Sequence, residues 1–263
     1  MAEPEIRFDD GAAYERMMGV WSRSAGNIFL DWVAPQPGLR WIDIGCGNGA
    51  FTELLVDRCA PAAVEGIDPS EGQLAFARTR PAARLAQFRQ GNAMELPFAE
   101  NSFDAATMAL VIFFVPDPAK GVAEMARVVR PGGIIATYAW DLIGGGFPLD
   151  PIQDEMRALG MKVPLPPSAA ASRMDAMRDL WAGAGLEAIE TREIAVQRSF
   201  ADFDEFWTTS VTGATVAQTI AATSPADLAT LKARVRARLP GDAAGRITYG
   251  ARANAIKGRV RSI

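Results

Sequence analysis

A glycine-rich stretch constrains most strongly what this chain can fold into. Residues 40–49 read Arg-Trp-Ile-Asp-Ile-Gly-Cys-Gly-Asn-Gly. The apolar run that ends at Ile44 is typical of a buried parallel strand, and the glycines allow a sharp turn and the close approach of a ligand. Helical spacing follows in the apolar residues Phe51, Leu54, Leu55 and Cys59. The pattern predicts a strand, a ligand-binding turn and a helix whose amide-rich N-terminus faces the same crevice.

The spacing of the glycines indicates the kind of ligand. A dinucleotide-binding loop reads G-x-G-x-x-G and presents amides to a pyrophosphate, whereas here the glycines alternate and the carboxylate of Asp43 lies just upstream. This carboxylate would repel an anionic group and attract a cationic one. The I-D-I-G-C-G-N-G run closely resembles the first motif of class I S-adenosylmethionine-dependent methyltransferases, whose ligand carries an ammonium and a sulfonium and no phosphate. The resemblance implies cofactor contacts from Asp43, Gly45, Cys46 and Gly47; a tight turn without a ligand is the alternative.

A second carboxylate follows the next predicted strand, residues 63–67. Ser70 and Gln73 form a capping-box pattern that places a helix start two residues after Asp68. Asp68 therefore lies at the carboxyl end of a strand, 19 residues past the last glycine of the turn. A carboxylate at this position can accept both hydroxyls of a ribose, so Asp68 and the adjacent Pro69 are predicted cofactor contacts. A solvated loop acid is the alternative.

A third motif follows a predicted strand at residues 84–90. The sequence G-N-A-M-E-L-P-F and a later F-D pair resemble the family motif G-D-A-x-x-L-P-F…F-D, which implies adenine contacts from Asn92, Ala93 and Met94. Asn92 stands where the family has an acid. Its amide oxygen can still accept a hydrogen bond, at a cost of about 1 kcal/mol. A plain loop with Pro97 as its turn residue is the alternative.

Alternating strands and helices extend to the C-terminus. Further strands are predicted at residues 103–112, 134–140, 186–200 and 246–260. Leu110 is expected to face the crevice, where it is a predicted cofactor contact. The R-V-V-R-P-G-G-I-I block before the fifth strand again resembles the family. Together these features predict an α/β fold with a doubly wound, seven-stranded Rossmann-like sheet. The family's order is 3-2-1-4-5-7-6, with the last strand antiparallel.

The chain divides into an N-terminal helical cap at residues 1–36 and a methyltransferase domain at residues 37–263. Insertions are expected at residues 142–171 and 202–244, the second of them helical. A run of alternating basic residues lies in the second insertion: Lys232, Arg234, Arg236 and Arg238. At this spacing they fall on two flanks of a helix, which favours a solvated face over a phosphate or RNA site.

The cap is predicted to hold two short helices, broken near Gly19 and Gly26. The segment Y-E-R-M-M-G-V-W-S-R at residues 14–23 resembles the helix that precedes the domain in many small-molecule methyltransferases. The resemblance implies that Tyr14 and Trp21 contribute an aromatic wall over the cofactor. Ordinary packing of these rings on the sheet is the alternative.

Composition excludes several classes of function. The chain has no histidine, so imidazole bases and histidine metal ligands are excluded, and its two cysteines, Cys46 and Cys59, fit no metal or disulfide framework. A net charge of −4 does not indicate the basic surface that nucleic-acid binding usually requires. No stretch approaches the roughly 20 apolar residues of a membrane span, and the acidic residues 1–10 lack a signal-peptide core. We therefore expect a cytoplasmic protein without a metal, a membrane or a nucleic-acid partner.

The resemblance implies transfer of a methyl group from S-adenosylmethionine to an O, N or C nucleophile of a small molecule by in-line displacement. The sulfonium is already activated, so the protein need only align the reactants and exclude water. Where a proton must leave, Asp141 is the candidate base; a helix-cap or loop acid is the alternative. Phe113, Trp140 and Phe147 are predicted to wall an apolar acceptor.

Two other functions fit parts of the same pattern. A nicotinamide-dependent oxidoreductase would use a similar sheet, but the chain lacks the third glycine spacing and a recognisable hydride-transfer constellation. A protein that binds S-adenosylmethionine without catalysis is compatible with every motif, because methyl transfer has no obligatory catalytic residue. The sequence indicates neither the acceptor nor the oligomeric state.

Overall fold

A computed structural model of the chain describes residues 15–213 and 216–262. Its centre is a seven-stranded sheet in the order β3-β2-β1-β4-β5-β7-β6. The strands are β1 (Arg40–Ile44), β2 (Ala63–Asp68), β3 (Ala86–Gln90), β4 (Phe103–Ala109), β5 (Val129–Trp140), β6 (Glu187–Phe200) and β7 (Ile247–Arg259). The first five strands run parallel, and β7 is antiparallel to both β5 and β6. The predicted fold class and strand order are confirmed.

Helices alternate with the parallel strands and fill the two insertions. They are α1 (Val20–Val33), α2 (Ala50–Cys59), α3 (Glu71–Ala77), α4 (Pro118–Val128), α5 (Asp150–Ala158), α6 (Met174–Gly183), α7 (Phe203–Ser210), α8 (Ala217–Ala222) and α9 (Pro225–Arg238). A π-helix at Glu15–Gly19 precedes α1, and 3-10 turns lie at Pro81–Arg84, Ile112–Phe114 and Ala169–Ser172. Across residues 15–213 and 216–262, no helix combines the length and the apolar character that a membrane span requires.

The central strands are buried on both faces, as their apolar sequences predict. Ile42, Ile44 and Ala106 are all inaccessible to solvent. The parallel register pairs Asp43 of β1 with Gly66 of β2 and with Thr107 of β4. The carboxyl ends of these neighbouring strands therefore meet at one edge of the sheet, where an open α/β sheet forms its ligand crevice.

The cap helix differs from the prediction. Gly26 does not break the helix, because α1 runs continuously from Val20 to Val33. A Cβ atom at Gly26 would lie 2.8 Å from Cδ2 of Leu54 and 3.1 Å from the hydroxyl of Tyr138. Glycine is needed here for the close approach of α1 to α2 and β5, a tertiary requirement that sequence spacing does not reveal.

Two predicted strands are shorter in the structure. Residues 81–84 form a 3-10 turn, so β3 begins at Ala86. β4 ends at Ala109 because Leu110 adopts a left-handed conformation with φ of 62°, and a 3-10 turn follows. A non-glycine residue in this conformation is uncommon and marks a sharp turn. The turn places Leu110 at the crevice edge of the sheet.

Short polar side chains cap the N-termini of three helices, among them the helix start predicted at Ser70. The side chains of Ser70, Asp117 and Ser224 each accept a hydrogen bond from a backbone N–H in the first turn of α3, α4 and α9. Ser172 instead donates to the carbonyl of Ala169 and lies before α6, which has no side-chain cap. Burial of Ser172 against the first insertion, rather than helix capping, explains its position.

The basic residues of α9 divide between two flanks, as predicted. Lys232 and Arg236 form ion pairs with Asp204 of α7. Arg234 and Arg238 form ion pairs with Glu155 of α5. These side chains are partly exposed, so the pairs contribute little to stability. Arg234 and Arg238 connect the second insertion to α5 of the first.

Candidate cofactor and acceptor site

Backbone geometry explains the glycines that follow β1. Gly45, Gly47 and Gly49 have φ values of 74°, 52° and 78°, a region that side chains disfavour. The backbone N–H groups of Gly45 and Cys46 both donate to the carbonyl of Ile67, at 2.7 and 3.0 Å. These bonds tie the turn to the end of β2.

The space beside the turn differs between its first two glycines. A Cβ atom at Gly45 would lie 2.5 Å from both methyl carbons of Val111, so this glycine packs against the segment after β4. A Cβ atom at Gly47 would meet nothing within 4 Å. The backbone at Gly47 is therefore open to a ligand, as a cofactor-binding turn requires.

Asp68 lies at the end of β2 and holds the turn in place. Its Oδ2 atom accepts a hydrogen bond from the N–H of Gly47, and its Oδ1 atom accepts one from the N–H of Ser70, both at 2.9 Å. Burial raises the pKa of Asp68, and these two backbone bonds oppose the rise. Each carboxylate oxygen can accept a further hydrogen bond, so Asp68 can also receive ribose hydroxyls.

Asp43 is a buried carboxylate with one unsatisfied oxygen. Its Oδ2 atom accepts a hydrogen bond of 2.6 Å from the hydroxyl of Thr52, whereas Oδ1 has no partner among the described residues. Burial raises the pKa of Asp43 to about 7; the bond from Thr52 lowers it and the charge of Asp68 raises it further. An unpaired buried carboxylate oxygen is costly. A cationic ligand group would relieve this cost.

Asn92 begins the loop that follows β3. Its side chain is exposed, and Oδ1 accepts a hydrogen bond of 2.9 Å from the N–H of Met94. The N–H of Gly91 donates to the carbonyl of Asp68 at 3.1 Å, which connects this loop to the end of β2. The predicted adenine-contacting residues Asn92, Ala93 and Met94 therefore follow the strand that neighbours β2.

The remaining predicted cofactor residues lie in different surroundings. Cys46 is buried in the turn, and burial raises the pKa of its thiol. The carbonyl of Pro69 accepts a hydrogen bond of 2.8 Å from the side chain of Gln90. Trp21 is buried against Tyr249, with ring centroids 5.1 Å apart. Tyr14 lies outside the described residues, and its role stays a prediction.

A cavity of about 60 Å³ lies next to the turn. The predicted acceptor residues Phe113, Trp140 and Phe147 all line it, and so does Leu110. The other lining residues are Met17, Met18, Phe114, Leu142, Leu149, Gln153, Pro164, Leu165 and Pro166. None of the lining residues carries a charge. Leu110 directly precedes Val111, which packs against Gly45, so the cavity lining continues along the chain into a residue that contacts the glycine turn.

Several lining residues lie in segments to which the sequence assigns no individual acceptor contact. Met17 and Met18 belong to the cap segment, and residues 164–166 to the proline-rich part of the first insertion. Gln153, which is 3% exposed, had no sequence signal, because its place depends on how α5 packs. An amphipathic pattern in residues 150–158 could have revealed α5 itself.

Asp141 follows β5 and has both carboxylate oxygens engaged. Oδ2 accepts a hydrogen bond of 2.7 Å from Nη2 of Arg252, and Oδ1 accepts one of 2.9 Å from the N–H of Gly144. Arg252 also donates to the carbonyl of Gly144 at 2.7 Å. This pair closes the turn that leads to Phe147. The part of the chain that the structure describes holds no cluster of three or more Cys, Asp or Glu residues suited to a metal ion.

Comparisons with known proteins agree with this geometry. Residues 42–137 match the family described as "Methyltransferase domain". A demethylmenaquinone methyltransferase from Desulfitobacterium hafniense (strain Y51) is 40% identical over 122 residues, which are 44% of this chain and 47% of that protein. The chain spans about half the length of the first curated relatives it matches.

Solved structures share the fold over most of the chain. Phosphoethanolamine N-methyltransferase 2 of Haemonchus contortus, in complex with phosphomonomethylethanolamine and S-adenosylhomocysteine, superposes with a TM-score of 0.61 at 17% identity, covering 97% of this chain and 59% of that one. The [4+2]-cyclase SpnF has a TM-score of 0.56 at 19% identity, covering 91% and 81%. Since a cyclase shares the architecture, the fold alone does not determine the reaction.

Proposed function

We infer that this chain, which belongs to the class I S-adenosylmethionine-dependent methyltransferases, transfers a methyl group to a neutral and largely apolar small molecule. The observation that carries this proposal is the uncharged cavity beside the glycine turn. Leu110 lines this cavity, and the next residue, Val111, packs against Gly45 of the turn. A donor bound on the turn and an acceptor in the cavity would therefore be neighbours.

The residues of the turn fit S-adenosylmethionine. The unsatisfied Oδ1 of Asp43 suits the ammonium group, and the open backbone at Gly47 admits the ligand. Asp68 would hold the ribose hydroxyls, and the loop at Asn92 and Met94 would flank the adenine. When bound, the cofactor would supply a methyl group that is attached to a sulfonium, and the demethylated remainder would leave as a neutral thioether.

The acceptor class follows from the chemistry of the cavity. Burying an unpaired charge among apolar side chains is costly, so charged amines, carboxylates and phosphates are disfavoured. Gln153 and Trp140 are the polar side chains in the lining, and the indole Nε1 of Trp140 has no partner in the described structure. The relatives named demethylmenaquinone methyltransferases support a neutral ring as the acceptor.

The chain would contribute alignment and the exclusion of water. The aromatic side chains of Phe113, Trp140 and Phe147 restrict a flat acceptor to one region of the crevice, and such alignment is a major part of the rate advantage in a displacement reaction. Asp141 and Arg252 would hold the turn before Phe147 and so act on the acceptor through that ring. Whether Asp141 also removes a proton from the acceptor is tested by the kinetics of Asp141→Asn.

Isothermal titration with S-adenosylmethionine, S-adenosylhomocysteine and NAD tests the cofactor assignment. We expect the first two to bind and NAD not to bind, and we expect Asp68→Ala to lose the binding. Binding of NAD alone, or of none of the three, would overturn the proposal.

Transfer of a tritiated methyl group to a panel of acceptors tests the reaction. We expect transfer to neutral quinols and phenols and not to amines or phosphorylated amines. Cofactor binding without transfer to any acceptor would favour a non-catalytic binding protein.

A further inference from the structure

One ion pair on α4 holds the loop that is proposed to flank the adenine. The carboxylate Oε2 of Glu124 accepts a hydrogen bond of 2.7 Å from the N–H of Leu96. The guanidinium of Arg127 donates to the carbonyl of Phe98 at 2.7 Å and to the carbonyl of Leu96 at 3.0 Å. Both side chains thus bind the backbone of the same short segment.

The two side chains also bind each other in a bidentate arrangement. Nε of Arg127 donates to Oε1 of Glu124 at 2.6 Å, and Nη2 donates to Oε2 at 2.8 Å. The side chains are only 31% and 18% exposed. The hydrogen bond from Arg127 holds the pKa of Glu124 below its ordinary range. Bidentate, charge-assisted bonds of this kind fix geometry more strongly than a single bond does.

The other backbone bonds from this loop to the rest of the fold lie at its two ends, where the N–H of Gly91 donates to the carbonyl of Asp68 and the N–H of Asn101 donates to the carbonyl of Arg127. The segment between β3 and β4 has no helix or strand of its own, and the bonds of Asn92 reach only Met94 and Glu95. The side chain of Phe98 packs edge-on against Phe103, with ring centroids 4.9 Å apart. Glu124 and Arg127 therefore hold the middle of the loop, at Leu96 and Phe98.

We propose that Glu124 and Arg127 are positioning residues for the adenine end of the cofactor. The inference rests on the proposed function. Where the resembled family has an acid, this chain has the neutral Asn92, whose Oδ1 already accepts the N–H of Met94, so adenine recognition depends more on the other backbone groups of the loop. Backbone groups recognise a ring only when the loop is already in place, because ordering a loop on binding reduces affinity. The ion pair between Glu124 and Arg127 holds the loop in place before the cofactor binds.

Titration of Arg127→Ala with S-adenosylhomocysteine and with adenosine tests the inference. We expect the dissociation constants of both ligands to rise by about tenfold, because charge-assisted bonds to the loop are lost. We expect kcat at saturating cofactor and KM for the acceptor to stay within about twofold of the wild type. A general loss of structure would instead change all of these quantities together.

Arg130→Ala is the matched control. Arg130 lies three residues further on and pairs with Asp104 without touching the loop, so its removal should leave adenosine binding unchanged. Glu124→Gln keeps an acceptor for the N–H of Leu96 and should weaken binding less than Arg127→Ala does. It also provides a test if Arg127→Ala does not fold.

The outcomes separate the two proposals. Unchanged adenosine affinity in both Arg127→Ala and Glu124→Gln would overturn the positioning role while leaving the proposed function intact. An equal loss in Arg130→Ala would also overturn it. Failure of the wild type to bind S-adenosylhomocysteine would overturn the proposed function itself.

Discussion

Asp68 and Gly47 join two parts of the proposed cofactor site. The carboxylate at the end of β2 accepts a 2.9 Å hydrogen bond from the backbone N–H in the middle of the glycine turn. The same carboxylate accepts a second bond from Ser70 at the start of α3. One side chain therefore sets the turn, the next helix and the proposed ribose contact together.

Replacement of Asp68 by alanine should abolish measurable cofactor binding. The variant loses the proposed ribose acceptor and the bond that orders Gly47, so we expect affinity for S-adenosylhomocysteine to fall by about 100-fold or more. Isothermal titration gives the result directly. Asp117→Ala is the control, because Asp117 also accepts a backbone N–H at a helix start but lies outside the turn. Equal losses in the two variants would contradict a specific role for Asp68.

Cofactor affinity should depend on pH through Asp43. Burial raises its pKa to about 7, so the carboxyl is mostly protonated at pH 6 and ionised at pH 8. A cationic ammonium binds the ionised form, so affinity should fall by about tenfold for each pH unit below 7. Titrations at pH 5.5, 6.5 and 7.5 measure this slope, and Asp43→Asn should remove it. A flat wild-type profile would argue against contact between Asp43 and the ammonium.

The same carboxylate should reduce the stability of the fold at high pH. Its folded pKa of about 7 lies above the ordinary value of 3.8, so folding favours the protonated form. The destabilisation is absent below pH 3.8, grows as the pH rises and is complete above about pH 7. Asp43→Asn should therefore raise the melting temperature at pH 8 by about 3 °C or more, with little effect near pH 4. Differential scanning calorimetry checks this, and a lower melting temperature at pH 8 would refute it.

Asp141 and Arg252 should behave as a unit in kinetics. Both bind Gly144, so removal of either side chain should release the turn before Phe147 and raise KM for the acceptor by about tenfold. The double variant Asp141→Asn with Arg252→Ala should be no worse than either single variant. A base role for Asp141 predicts a different result, namely a fall in kcat and a changed pH profile in Asp141→Asn alone. Steady-state kinetics of all three variants distinguish the two roles.

Truncation of the cavity wall should affect the acceptor and spare the cofactor. Phe113→Ala and Phe147→Ala each remove apolar contact worth about 2 kcal/mol, so KM for the acceptor should rise by roughly 10- to 30-fold. The dissociation constant of S-adenosylhomocysteine should change little. Phe76→Ala, at a ring that is 44% exposed on α3, is the control. Loss of cofactor affinity without a change in KM would show that these rings do not contact the acceptor.

The residues proposed to bind the cofactor could be placed together from the sequence because each lies near a strand end. Asp43, Asp68 and Asn92 each lie at or just beyond the carboxyl end of a parallel strand, and such ends meet at one edge of the sheet. Strand periodicity and glycine spacing were therefore enough to bring them together. The helix cap predicted at Ser70 is confirmed for the same reason, since capping depends on residues only three apart.

The cavity that is proposed to hold the acceptor depends on contacts between distant parts of the chain. Gln153 and Leu165 line the cavity because the first insertion packs beside β5, and no local pattern encodes that packing. Gly26 was predicted to break a helix, yet it lies inside α1. A glycine is needed there because the helix passes close to Leu54 and Tyr138. Glu124 and Arg127 bind the loop after β3 at Leu96 and Phe98, which lie 28, 29 and 31 positions away in the three hydrogen bonds. Short-range propensity thus determined the strands, the turns and the glycine motif from the sequence alone, whereas side-chain packing over long sequence separations decided the cavity, the hydrogen bonds of Asp141 with Arg252 and Gly144, and the position of the loop after β3.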